Sequence, residues 1–205
     1  MAVIKSGATS DQLTIDPTSK AGRVSQYDTA GRILCLQSKS TYGVSTTPFT
    51  PPATPTDVAT IFGSASKTIY IYGVSFSSTQ TTAGVNRIYL IKRSAINTGG
   101  TSAAPTIVKY DSGSLAATAT VLSYTVNPAG LGASVGNISV ENVYSPILST
   151  GTSSLNQDMY ARTSAFELST PIILRGVAEG LCLNFNGAAL PAGLSVIANF
   201  IWTEE

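Results

Sequence analysis

The sequence predicts an all-β protein, an antiparallel β-sandwich of about eight strands preceded by an extended N-terminal arm. Three observations predict it. Hydrophobic residues make up 43% of the 205-residue chain and charged residues only 11%, while Ser and Thr together supply about a quarter, so polarity comes from hydroxyls rather than ions. Short apolar runs rich in Val, Ile, Thr and Tyr recur along the chain, as pleated half-buried strands require. The breaks between them carry turn chemistry, supplied by 18 Gly and 10 Pro.

Taken in order, residues 1–44 read as an extended docking arm. "LTI" and "RVSQY" each allow a short strand, but Pro17, Gly22 and Gly31 interrupt any longer pattern. The arm concentrates charge in a chain that otherwise has little: Asp11, Asp16, Lys20, Arg23, Asp28 and Arg32 fall within "DQLTIDPTSKAGRVSQYDTAGR". Residues 45–60 read as a Pro/Thr-rich linker, because Pro48, Pro51, Pro52 and Pro55 impose extended backbone and remove amide donors.

Residues 61–205 read as the sandwich. Strands are expected at "SKTIYIYGVSF", "GVNRIYLIKRS", "APTIVKYD", "TATVLSYTV", "GNISVENVYSPIL", "FELSTPIILRGV", "GLCLNFNG" and "GLSVIANFIW". "NTGGTS", "DSGS", "NPAGLG" and "FNGAALPAG" supply the turns between them. "SLNQDMYARTSAFEL" has room for a turn or two of helix. "IYIY" and "VIANFIW" are apolar on both pleat faces, so one face is expected in the core and the other against a second surface, such as a homo-oligomeric interface. No internal repeat of solenoid or propeller length is found.

The formal net charge is +1 and no Lys/Arg cluster occurs, so direct nucleic-acid binding is not expected. "MAVIKSGATS" carries no signal-type apolar region, and no stretch has the roughly 18 apolar residues of a span. Neither secretion nor membrane association is expected. Cys35 and Cys182 form no CxxC pair and are expected to be reduced thiols, though a bond between them remains open.

Catalytic chemistry has few parts to work with. The chain has no histidine, which removes Ser/His and Cys/His dyads and the commonest metal ligand. No catalytic residue, metal site or cofactor is expected. Asp111, Glu141, Asp158, Glu167 and Glu179 are raw material for a carboxylate pair, but nothing in their spacing brings two together. Cys182, among Leu181, Leu183 and Phe185, reads as a small buried hydrophobe. The glycine-rich turns lack phosphate-loop spacing. Asn137-Ile138-Ser139 fits a glycosylation sequon, a match expected by chance in so hydroxyl-rich a chain. Tyr70, Tyr72, Tyr89, Tyr110, Tyr124, Tyr144 and Tyr160 are expected at core edges and interfaces rather than stacked on sugars.

The run "TTAGVNRIYLIKRSAINTGGTSAAPTIVKYDSGSLAATATVLSYTVNPAGLG", with "LSTPIILRGVAEGLCLNFNG" and the ending "FIWTEE", resembles a family of tailed-bacteriophage virion structural proteins. "LTIDPTSKAGRVSQYDTAGR" is similar to a short segment at the front of phage structural proteins. The resemblance covers most of the chain apart from the Pro-rich linker. It implies a place in a virus particle, either as a capsid decoration or cement protein or as a head-fibre-like β-sandwich protein. By analogy it also implies a jelly-roll-like sandwich assembling as a trimer.

On that reading the protein is no enzyme. It is made in the host bacterial cytoplasm and sits on the outer capsid surface of the virion, with the major capsid protein or other virion proteins as partners. The arm docks through Leu13, Ile15, Asp16, Lys20, Arg23, Val24, Tyr27, Asp28 and Arg32, charges setting register and apolar side chains filling shallow pockets. The competing readings are a tail, baseplate or fibre component that touches host glycans, and a particle-borne carbohydrate-active enzyme using two carboxylates.

Overall fold

A computed structural model of the chain describes residues 14–15, 22–23, 39–82, 84–145 and 164–205. The chain divides into two compact units, Met1–Ser38 and Lys39–Glu205. In the first, strands β1 (Thr14–Ile15) and β2 (Gly22–Arg23) pair antiparallel, with Thr14 opposite Arg23 and Ile15 opposite Gly22.

The second unit is an all-β sandwich. Its strands are β3 (Ser40–Ser45), β4 (Asp57–Phe62), β5 (Thr68–Thr79), β6 (Gly84–Arg93), β7 (Thr101–Ala103), β8 (Val108–Lys109), β9 (Thr120–Val126), β10 (Ser134–Ser145), β11 (Ser164–Arg175), β12 (Gly180–Asn184) and β13 (Ser195–Glu204). One sheet runs β10-β6-β12-β4-β9-β7 and the other β11-β5-β13-β3-β8. All pairings are antiparallel.

The topology is that of a jelly roll. The pairs β3·β13, β4·β12, β5·β11 and β6·β10 are the rungs of one long folded-back ribbon, laid alternately on the two sheets. The excursion at the tip of that ribbon, between β6 and β10, returns to add β8 beside β3 and β9 with β7 beside β4.

Alternation of side chains builds the core between the sheets. From the five-stranded sheet come Tyr42, Val44, Ile69, Ile71, Val74, Phe76, Phe200 and Trp202; from the six-stranded sheet come Ile61, Ile88, Leu90, Val121, Leu181 and Leu183. Tyr42 stacks on Trp202 at 5.8 Å between ring centroids, and Phe76 meets Phe185 edge-on at 5.8 Å. In β5 the inward row shifts phase at Tyr72–Gly73: Ile71 faces Trp202 and Gly73 faces Ile201, with an irregularity between them. The extra residue keeps Val74 and Phe76 pointing inward after Ile69 and Ile71.

Two sequence expectations are corrected here. The sandwich begins at residue 39 rather than 61, because residues 40–45 and 57–62 are strands of the two sheets. The segment expected to be a semi-rigid Pro/Thr-rich linker is pinned along its length, by Thr46 N to Ala198 O at 3.0 Å, by the Phe49–Val196 bridge and by Leu190 N to Ala53 O at 3.0 Å. Proline imposes the same extended backbone that a strand uses, and the non-proline residues between keep their donors for pairing.

Tyr72 and Ile201, on the five-stranded sheet, are each 40% exposed. The strands buried on both faces are β4 and β12 of the six-stranded sheet, which the loops 94–100 and 127–133 help to cover.

Candidate functional site

At one end of the six-stranded sheet, where β4 begins and β6 and β12 end, polar side chains are buried. Asp57 opens β4, Arg93 closes β6 and Asn184 closes β12, and all three are buried. The Asp57 carboxylate accepts from Arg93 Nε at 2.6 Å and Nη2 at 2.7 Å, from Asn97 Nδ2 at 2.7 Å and from Asn184 Nδ2 at 2.6 Å. Arg93 Nη1 donates to Gly132 O at 2.6 Å, and Gly132 N donates to Asn97 Oδ1 at 2.9 Å. The Gly132 peptide is thus held at both ends. A Cβ at Gly132 would lie 1.7 Å from Ala95 O, so only glycine fits the approach.

The two glycine-rich loops that read as independent turns pair with each other. Thr98 and Gly130 exchange backbone hydrogen bonds of 2.8 and 3.1 Å. Asn127 ties the Pro-rich segment to the same region, its Oδ1 accepting from Thr56 N and its Nδ2 donating to Thr54 O, both at 2.9 Å.

The electrostatics follow from burial. Burial alone would lower the Arg93 pKa, but the hydrogen bond and charge of Asp57 outweigh it and raise it above the ordinary value. Burial, then the Asp57 charge, pushes the Cys182 thiol well up, so it is protonated and inert. Burial likewise raises Tyr124. Four donors occupy the acceptor sites of the two Asp57 oxygens.

A cleft of about 360 Å³ opens beside this cluster, lined by Thr56, Ile91, Arg93, Leu131, Ser134, Asn137, Asn184, Asn186 and Gly187. One wall is a tight turn in which Asn186 and Gly187 have φ of 56° and 69° and Ala188 N donates to Phe185 O at 3.2 Å. Gly187 N donates to Pro55 O at 2.9 Å, and Asn186 N donates to Asn184 Oδ1. These contacts brace the wall against the Pro-rich segment and the buried cluster.

Of the arm residues singled out by sequence, Ile15 and Arg23 lie on the β1–β2 hairpin. Leu13, Asp16, Lys20, Val24, Tyr27, Asp28 and Arg32 lie outside the described residues, as do Cys35, Asp158, Tyr160 and most of "SLNQDMYARTSAFEL". The side chains of Tyr144 and Glu167 are likewise outside the description. Among the other carboxylates, Asp111 accepts from Gly113 N at 2.9 Å within its own loop, and Glu179 lies 3.4 Å from Lys92. Tyr72 and Tyr110 are exposed, Tyr124 is buried, and Tyr70 lies under the Lys39 ammonium at 4.4 Å. Among the described residues no group of His, Cys, Asp and Glu could hold a metal ion, and no helix is long and apolar enough to cross a membrane.

Asp57, Arg93, Asn97 and Asn184 carried no sequence signal as a group. Each reads as an ordinary polar residue at a strand end or turn, and Asp57 lies 36 residues from Arg93 and 127 from Asn184. The chain matches no protein-family model, no curated protein and no solved structure.

Proposed function

We propose that the chain is a non-enzymatic structural protein of a tailed-phage virion that decorates or cements the capsid. The N-terminal unit docks on the shell, against the major capsid protein or a neighbouring virion protein, and the sandwich projects outward, as a trimer. The observation that carries this reading is the division of the chain into a charge-rich N-terminal unit and a separate jelly roll. The described pairing of the N-terminal unit is a hairpin of two residues per strand. A partner surface can offer a charge-rich segment complementary charges and pockets.

Self-association is supported by β10, an edge strand whose Val135, Ile138 and Val140 are exposed, with Val85 exposed on the neighbouring β6. Many copies binding the assembled shell in preference to its free subunits stabilise it by mass action. A tail, baseplate or fibre component is the second reading, favoured by the exposed Tyr72 and Tyr110.

The test is cosedimentation of the full-length protein with tail-free heads and with tailed particles. Saturable, many-copy binding to heads is expected, and binding that requires tails would replace decoration with the second reading. Deleting residues 1–38, which leaves β3 intact, is expected to abolish binding while the sandwich stays folded. Normal decoration by that truncation would remove the docking role of the N-terminal unit.

A further inference from the structure

We infer that the cleft on the outer face of the six-stranded sheet is a binding site for a neutral saccharide of one or two rings. The inference is independent of where on a particle the chain resides. Its volume, about 360 Å³, lies in the range of small-ligand pockets.

The lining selects the ligand class. Among the described residues Arg93 is the only ionisable side chain that lines the cleft, and its charge is answered by two hydrogen bonds to Asp57. An anion therefore meets no uncompensated positive charge, and a cation meets no free carboxylate. What remains are amides and hydroxyls: Asn137, Asn186, Ser134 and Thr56.

Among the described residues the side chains of Ser134, Asn137 and Asn186 have no hydrogen-bond partner, whereas Thr56 Oγ1 lies 3.3 Å from Asn127 Oδ1. Three exposed polar side chains without a protein partner thus line one cleft. An amide both donates and accepts, as a sugar hydroxyl does, so each can meet a hydroxyl in either role. Ile91, nearly buried, and Leu131, 42% exposed, supply apolar contact for the C–H face of a ring.

Pre-organisation supports the assignment. Asn184 and Arg93 are held by the buried cluster, and the Asn186-Gly187 wall by Pro55 and Asn184. The backbone of that wall is therefore held before a ligand arrives.

The experiment is saturation-transfer NMR and calorimetric titration of the full chain with glucose, galactose, mannose, N-acetylglucosamine, lactose, maltose and chitobiose. Glucuronate serves as an anionic control. Saturable binding of at least one neutral sugar is expected, with glucuronate weaker. Asn137→Ala and Asn186→Gly are each expected to weaken it tenfold or more. Asn137 is exposed and glycine suits the positive φ at 186, so both variants are expected to keep the wild-type urea midpoint. Tyr110→Ala is expected to leave binding unchanged. Absence of binding across the panel overturns the inference. So does preference for glucuronate, or binding that survives both Asn variants and disappears in Tyr110→Ala.

Discussion

Replacing Arg93 with methionine tests the buried cluster most directly. The substitution roughly conserves length but strands the Asp57 carboxylate, which is fully buried. Two charge-assisted bonds to Asp57, of 2.6 and 2.7 Å, are lost together with the 2.6 Å bond to Gly132 O, while those from Asn97 and Asn184 to Asp57 remain. Unit charges about 4 Å apart at an effective dielectric near 20 interact by about 4 kcal/mol. Removing one partner of a buried pair costs about 3–5 kcal/mol. The two surviving amide donors place the expected loss near the lower end, about 3 kcal/mol. With a urea m-value of about 2 kcal/mol/M, the midpoint falls by about 1.5 M.

The assay has a built-in probe. Trp202 is the only tryptophan in the chain and is fully buried in the core, so its emission reports global unfolding. Adding Asp57→Asn removes the stranded charge, and the double variant is expected to recover about 2 kcal/mol relative to Arg93→Met alone. Hydrogen exchange should accelerate in residues 94–100 and 127–133, which the cluster holds. A midpoint shift below about 0.5 M, or additive effects of the two substitutions, would refute the account of a desolvated pair organising the loops.

Other expectations follow from the same geometry. Glu204 accepts from Thr118 N and Oγ1, Ala119 N and Trp202 Nε1. Glu204→Gln turns an NH2 toward these donors and should cost about 1–3 kcal/mol, read as a lower urea midpoint. Cys182 is expected to resist iodoacetamide in the native protein and to react on denaturation, as followed by peptide mass spectrometry; native labelling at Cys182 would contradict its burial. Glu205 has its carboxyl pKa lowered, chiefly by the Lys39 ammonium and then by the Tyr70 hydroxyl. Its contribution is therefore present above the ordinary carboxylate range and is lost as pH falls through the lowered value. Lys39→Met should move the Glu205 titration, followed by carboxyl NMR, upward toward ordinary glutamate.

The all-β class and the positions of most strands were legible in the chain, because a period of two is a local property of a few residues. "SKTIYIYGVSF" and "GLSVIANFIW" place β5 and β13 this way. The turn at Asn186-Gly187 was equally local, since glycine and asparagine tolerate positive φ wherever they occur. β3 and β4 were missed because "TYGVS" is short and "DVATIF" follows prolines and opens on a carboxylate. Their burial depends on strands far along the chain: Val44 faces Phe200, and Ala59 faces Leu183. The rungs of the jelly roll and the covered ion pair likewise arise from long-range pairing. Asp57 looks solvated until folding brings Arg93, Asn97 and Asn184 around it, because whether a charge meets water or a partner is a property of the assembled sheets.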